Sequence, residues 1–462
     1  MANQPQAVPQ TSPARTSGSH VLVLSAVVAA LGSFLFGFDT VVVSGTNDLL
    51  QQVFHLDAFW LGFTVTSALI GTMVGSLLAG RPADWWGRRP VLGILALVFF
   101  VAALGCALAW NWYALLVFRF LGGIAVGAAS VVCPMYITEI APPARRGLLV
   151  AISQLNIVVG ILVAYLSNYL VAKILGPGHA ANWRWMFGVM VLPAMAFLVT
   201  ALLIPESPRW LIKQNRREEA QAVLGRFGHE QPAREAEEIE TSLQAEAKGT
   251  HQTLFQAKYL KPLLLACAIG IFNQLDGINA VLYYAPQIFR MAGADQADAL
   301  VQSVIIGFTN LVMTLVAMAL IDRVGRKALL LAGSVTFVMA HGLAAWVFYS
   351  HAQGWVVIAA LMGIVGSHAY SQGAVVWVII NELLPNAVRA SGVALVCFVI
   401  WVLDGAVSWA FPVVAGGGGP RAAYAFGFFA LMMVLQFFVL LKYLPETKGV
   451  SLEQLEKRLG VV

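Results

Sequence analysis

Three acids and one arginine interrupt long apolar runs of this sequence: Asp39, Asp276, Asp404 and Arg119. A charge in apolar surroundings is costly, so such residues mark a pathway, a relay or a paired structural site. Arg119 stays protonated at any practical pH and needs an anionic partner. A carboxylate beside it can keep or release a proton as the pair parts or closes. Neutral polar side chains interrupt other apolar runs: Gln154, Asn273, Gln274, Asn279 and Asn310, with Trp377. Each amide donates and accepts hydrogen bonds, as a hydroxyl does. An indole can cover apolar C–H faces. Together they suit a neutral polyhydroxy ligand and suit a multivalent ion or a greasy drug poorly. For any single amide, hydrogen bonding between helices is an equally good reading.

Other chemistries find little support. No Gly-Lys-Ser or Gly-Lys-Thr phosphate loop occurs, so ATP-driven work by this chain is disfavoured. Gly71/Gly75 and Gly123/Gly127 have the small-residue spacing that lets helices approach. Cys106, Cys133, Cys267 and Cys397 lie in apolar runs and read as small buried thiols. His and Cys show no metal spacing, and no nucleophile arrangement is present. No enzyme activity, metal or cofactor is expected.

The elements that must carry these residues follow from composition. Hydrophobic residues make up 59% of the 462 and charged residues 11%, against about a quarter charged in soluble domains. A bilayer core takes about 20 apolar residues as a helix. Twelve such runs are read, at 22–48, 59–80, 90–109, 112–138, 147–172, 183–204, 261–289, 299–321, 328–349, 355–383, 391–414 and 422–444. They lack the alternation of barrel strands. The expected fold is an all-α membrane protein with lipid around it. With the N-terminus in the cytoplasm, 23 of 28 Lys and Arg are cytoplasmic, four are outside and Arg119 is within a span. Both termini are therefore expected inside. The net charge of +5 then serves topology, and no nucleic acid is expected. Asp39 and Arg119 fall at one depth, roughly 10–14 Å below the outer surface at about 1.5 Å per residue. They meet if their spans face each other. A fixed ion pair is the competing reading to one that opens and closes.

Residues 1–21 read as a disordered cytoplasmic N-terminus and 22–204 as a first six-helix bundle. Residues 205–260 read as a linker with short charged helices, 261–444 as a second bundle and 445–462 as a cytoplasmic tail. The tail has a short amphipathic stretch at Leu452, Leu455 and Leu459. The halves repeat. Asp84-Trp85-Trp86-Gly87-Arg88-Arg89 matches Asp322-Arg323-Val324-Gly325-Arg326-Lys327; Glu139 with Arg146 matches Glu382 with Arg389; Pro205-Glu206-Ser207 matches Pro445-Glu446-Thr447. The offsets are 238, 243 and 240 residues. Parallel six-helix repeats around a central site are a transporter architecture. Asp84, Arg88, Arg89, Glu139, Arg146, Asp322, Arg326, Glu382 and Arg389 form charge clusters at inner helix ends. They read as a latch between halves rather than as orientation signals alone, because acids recur with the bases.

These motifs resemble the sugar porters of the major facilitator superfamily, which include bacterial xylose–proton symporters and facilitative glucose transporters. The resemblance runs from about residue 25 to 450. It rests also on Gly37-Phe38-Asp39-Thr40, Pro205-Glu206-Ser207-Pro208-Arg209, Gln274-Leu275-Asp276-Gly277-Ile278-Asn279, Tyr283-Tyr284-Ala285-Pro286 and Pro445-Glu446-Thr447-Lys448-Gly449. It implies a major facilitator fold of two six-helix bundles that alternate access to a monosaccharide, with relatives working as monomers. It implies sugar contacts at Gln154, Gln274, Asn279, Asn310 and Trp377, and at Asn273 a contact shortened from the usual Gln. It implies proton coupling at Asp39 under control of Arg119, since facilitators commonly carry Asn there. Tyr283 and Tyr284 are implied to form an outer gate, an aromatic interfacial belt being the alternative.

Several positions depart from the family. Ala374 replaces a common Pro and stiffens the inner half of the tenth span. Ile400 stands where xylose symporters have Gln, and Met190 where they have a Glu linked to coupling. Asp276 occupies a usually small or apolar position, and Asp404 one where relatives carry Asn. Either acid is a candidate for adjusting which hydroxyl pattern is accepted. The reading is a proton-coupled hexose or pentose symporter of the bacterial inner membrane. The alternatives are an uncoupled facilitator of sugar or polyol and a non-transporting sugar sensor, which would usually carry long cytoplasmic tails.

Overall fold

A computed structural model of the chain describes residues 17–142, 146–248, 253–385, 387–450, 454–455 and 457. Side chains at 17–19, 146, 245–248, 322 and 390 lie outside that description. So do residues 1–16 of the expected disordered segment and Leu452 and Leu459 of the tail.

The described residues form helices and no strand. Twelve helical segments are long and apolar enough to cross a membrane: His20–Gly45, Ala58–Leu78, Arg88–Leu108, Trp112–Ile140, Gly147–Leu175, Asn182–Ala201, Ala257–Met291, Gln296–Ile321, Arg326–Ser350, Trp355–Leu383, Ser391–Ala415 and Gly419–Tyr443. We number them spans 1 to 12. Short polar side chains start several of them. Asp57, Asn111 and Asp295 each accept a backbone N–H three residues on, at the heads of spans 2, 4 and 8.

The halves are built alike. Span 1 packs on span 5 and span 2 on span 4; span 7 packs on span 11 and span 8 on span 10. Spans 2 and 11, and spans 5 and 8, meet across the seam between halves. Span 1 begins and span 12 finishes at the end of the bundle rich in Arg and Lys, here the basic end.

Three expected spans differ in detail. The first ends at Gly45 rather than 48, because the chain tightens into a 3-10 turn, Val43–Gly45, against Asn168 of span 5. A separate short helix, Asn47–Phe54, then lies over the opposite end. The seventh span is broken into Ala257–Leu275 and Ile278–Met291. The Asp-Gly sequence causes this break. Gly277 takes φ +74°, which a side chain resists, and Asp276 Oδ1 accepts Ile278 N at 2.9 Å to cap the second piece. The tenth span breaks at Ser371, between Trp355–Tyr370 and Gln372–Leu383, and its inner piece is continuous through Ala374. Between the halves run the expected charged helices, Pro208–Lys213, Arg217–Arg226 and Pro232–Lys248.

Candidate functional site

Asp39 of span 1 and Arg119 of span 4 meet as the depth argument requires. Arg119 Nη1 donates to Asp39 Oδ1 at 2.9 Å, and both residues are buried. The guanidinium also lies 5.6 Å from the Phe187 ring centroid. Gly122, one turn beyond Arg119, leaves room beside the carboxylate, where a Cβ would stand 3.6 Å from Asp39 Oδ1. The pair borders a cavity of about 20 Å³, whose lining includes Phe36, Tyr283 and Trp401. That volume holds one water. The cavity crosses the seam, since Tyr283 and Trp401 belong to the second half.

The break in span 7 gathers three of the six candidate ligand residues. Asn279 Nδ2 donates to Gln274 Oε1 at 2.9 Å, and Gln274 Nε2 donates to Asn273 Oδ1 at 2.9 Å. Gln274 and Asn279 lie on either side of the Asp276–Gly277 turn, so the turn itself brings them together. Gln154 of span 5 is half-buried beside Ser153, whose Oγ lies 2.5 Å from Ser33 Oγ of span 1. Asn310 of span 8 is buried three residues past Gly307, where that span meets Leu162 and Tyr165 across the seam. Trp377 is 38% exposed on the inner piece of span 10. Among the described residues, these three make no hydrogen bond to the span 7 amides.

Tyr283 and Tyr284 are buried inside the second half, which excludes an interfacial belt. Tyr283 Oη donates to Asp404 Oδ2 at 3.3 Å and Tyr284 Oη to the Ser408 carbonyl at 2.8 Å. Asp404 is thereby partnered, with Ser408 Oγ at 3.1 Å from Oδ1. The same half-helix is held across the seam at the end opposite the basic one. Asn47 Nδ2 donates to the Tyr283 carbonyl at 2.9 Å, and Tyr165 Oη to the Leu282 carbonyl at 2.7 Å. Arg290 pairs with Asp48 at 2.5 Å, and Gln287 bridges Asp48 and Gln51 at 3.1 Å each. Thr66 and Trp409 add bonds between spans 2 and 11. The structure is closed at that end.

Asp276 has partners that sequence reading missed. Its Oδ2 lies 2.8 Å from His368 Nδ1, and its carbonyl 2.8 Å from His341 Nε2. The histidines are 92 and 65 residues away with no motif around them, so only packing reveals them.

At the basic end, Arg88 grips Glu139 with two bonds of 2.8 Å and reaches Asp84 at 3.3 Å. Arg89 Nη2 donates to the Leu202 carbonyl. In the second half Arg326 lies 3.5 Å from Glu382, and Arg389 donates to the Leu384 carbonyl. These contacts stay within one half each, so here they order helix ends rather than cross the seam. The side chains of Arg146 and Asp322 are outside the described set.

Glu206 and Glu446, read from sequence only as repeat markers, prove central to these clusters. Glu206 accepts the Arg88 and Arg89 backbone N–H groups at the head of span 3. Glu446 does the same for Arg326 and Lys327 at the head of span 9. A carboxylate at a helix N-terminus meets unpaired donors and the positive dipole end. Burial raises the Glu206 carboxyl above its ordinary range despite the amides around it. At Glu446 burial also acts upward, but four backbone amides outweigh it and hold the carboxyl below its ordinary range.

Two six-helix halves, a polar seam closed at one end, and buried ionisable groups along it define a membrane carrier of the two-bundle class. Comparison with known proteins makes the family plain. The profile of the sugar (and other) transporter family matches residues 25–459. The arabinose-proton symporter of Bacillus subtilis (strain 168) is 35% identical, over 99% of this chain and 99% of its own. The D-xylose-proton symporter of Escherichia coli (strain K12) is 35% identical, over 93% and 94%. A partially occluded, inward-open structure of the E. coli xylose transporter XylE superposes with a TM-score of 0.83 at 32% identity, covering 94% of this chain and 100% of that one. The chain belongs to the sugar transporter family and has the major facilitator fold.

Proposed function

We propose that this protein is a proton-coupled monosaccharide symporter that works by alternating access. The observation that carries the reading is the buried Asp39–Arg119 pair on a seam-crossing cavity that Tyr283 also lines. Its xylose and arabinose relatives are named as proton symporters, which supports the same class of substrate.

In this reading the basic end is cytoplasmic, both termini lie inside, and the protein acts as a monomer in the bacterial cell membrane. The state described faces inward. Asn273, Gln274, Asn279, Gln154 and Asn310 bind sugar hydroxyls and Trp377 covers a C–H face. Tyr283 and Tyr284 move with the Ile278–Met291 half-helix as the outer gate. In this reading the approach of Arg119 to Asp39 promotes proton release. Rocking that parts the pair in a dehydrated site favours proton uptake. The basic clusters, with Glu206 and Glu446, hold each half's helix ends as one body and join the seam when the outside opens.

The test is sugar uptake into proteoliposomes with and without an imposed pH gradient. Uphill accumulation only with the gradient supports symport; equilibration alone indicates a facilitator; no uptake indicates a sensor. Cysteines placed at Glu230 and Gly417 should label from opposite sides, and labelling of both from the periplasmic side would overturn the topology.

A further inference from the structure

A second acid–base couple lies in the half that carries four of the five candidate amides. Asp276 is fully buried, and its Oδ2 lies 2.8 Å from His368 Nδ1. The acid sits in the break of span 7, and His368 stands three residues before the break of span 10 at Ser371. The couple therefore ties two interrupted helices at their weak points. Gln274 and Asn279 flank the first break, and Trp377 lies six residues past the second. Asp276 Oδ1 simultaneously caps the outer half-helix through Ile278 N.

The surroundings fix its geometry. His341 of span 9 bonds the Asp276 carbonyl and stacks on Phe337 at a ring separation of 5.8 Å. Phe426 and Phe429 of span 12 pack on the same imidazole, and Phe429 also covers Gly277. The ionisable groups facing the couple are His341, Asp404 of span 11, and Tyr283, which reaches Asp404 from span 7. Span 12 contributes the two rings. His368 is the member of the couple with side-chain exposure, at 19%.

Resting on the sugar-site reading above, we propose that Asp276 and His368 are positioning residues whose link between the two helix breaks sets sugar affinity according to the protonation of His368. A protonated imidazole adds ion-pair attraction to its hydrogen bond with the carboxylate, so the link is stronger than the one a neutral imidazole makes. The protonated couple holds the span 7 amides and span 10 in register; the neutral couple lets them loosen. Sugar affinity then falls when the couple loses its proton as pH rises.

The experiment uses the full-length chain in lipid nanodiscs and whichever of xylose, arabinose and glucose binds tightest. The background is Asp39→Asn, so that the proton carrier proposed above cannot contribute. Calorimetric affinity is measured between about pH 5 and 8, the window of histidine ionisation. Affinity should drop roughly fivefold or more across it, a typical site-to-site coupling. Adding His368→Gln should leave a flat profile, because the amide keeps a donor for Asp276 but does not titrate. Asp276→Asn, with folding checked by thermal unfolding, should flatten it too and carries the test if His368→Gln does not fold. A flat profile in the Asp39→Asn background, or a step of unchanged size in either added variant, overturns the inference. Gln274→Ala separates this from the underlying reading. If it weakens binding while the step survives His368→Gln, only the couple fails. If it leaves binding unchanged, the sugar site itself fails.

Discussion

Replacing Asp39 with Asn tests the proton path most directly. The change removes one charge and keeps an oxygen acceptor 2.9 Å from Arg119. Breaking a buried pair by deleting a partner costs about 3–5 kcal/mol, because the remaining charge stays desolvated. The retained carbonyl should keep the loss near the lower figure, so Asp39→Asn should fold but unfold at lower temperature. The functional effect is larger. One pH unit is worth about 1.4 kcal/mol per proton, or about tenfold in sugar concentration for one-to-one coupling. Wild-type proteoliposomes should approach that ratio for each unit of gradient. Asp39→Asn should stop at equal concentrations inside and out. Counterflow, in which labelled sugar exchanges with unlabelled sugar and no net proton moves, should survive. The assay is labelled-sugar accumulation against time at set gradients, with counterflow on the same vesicles. Accumulation by Asp39→Asn at the wild-type ratio would refute the assignment. Loss of counterflow together with accumulation would show that the residue serves the fold rather than the coupling.

Three further outcomes are expected. Gln274→Ala leaves a sugar hydroxyl without a partner, a loss of roughly 1–3 kcal/mol, so calorimetry should show affinity about ten- to a hundredfold weaker at normal expression. Gly277→Ala forces a Cβ to within 2.6 Å of the Phe429 ring at φ +74°; transport rate and unfolding temperature should both fall, and unchanged values would mean that the break is not strained. Glu446 has its carboxyl held below the usual 4.5, so its stabilising contribution is complete above that value and is lost as pH falls through the folded-state range. Glu446→Gln should therefore be less stable than wild type at neutral pH, and the difference should shrink on acidification. A difference that grows in acid would contradict the capping role.

What could be read from sequence was what single residues state about themselves. A charge in an apolar run demands a partner, and depth along the helix pointed Asp39 to Arg119 before any coordinates. The seventh run was read as one span, although Asp-Gly in its middle can announce a turn. Span 10 gave no such notice. Ser371 is not a helix breaker, and its side chain simply bonds the Ser367 carbonyl at 2.6 Å. Asp276 was visible as an unexplained acid, yet its histidines were not, since the pairing arises where spans 7, 9 and 10 pack. Glu206 and Glu446 were visible as a repeat, but their role depends on which backbone amides the fold leaves unpaired beside them.

The halves match at their basic ends and differ at their centres, and the difference bears on mechanism. In the first half, Gly71, Gly75, Gly123 and Gly127 bring spans 2 and 4 into backbone contact, so that any Cβ there would strike a carbonyl of the neighbouring helix. Interfaces this close do not slide in small steps. The first half thus behaves as a rigid frame that presents Asp39 and Arg119. The second half interrupts spans 7 and 10 and places amides, tyrosines and the Asp276–His368 couple around the interruptions. Backbone leaves the helix at membrane depth only where protein or a cavity takes up its bonds, and here Asp276, His341 and Ser371 do so. A short half-helix hinged at Gly277 can tilt without disturbing the frame. Under the proposed function, sugar-dependent movement therefore belongs to the second half, while the first supplies the proposed proton site against which it closes.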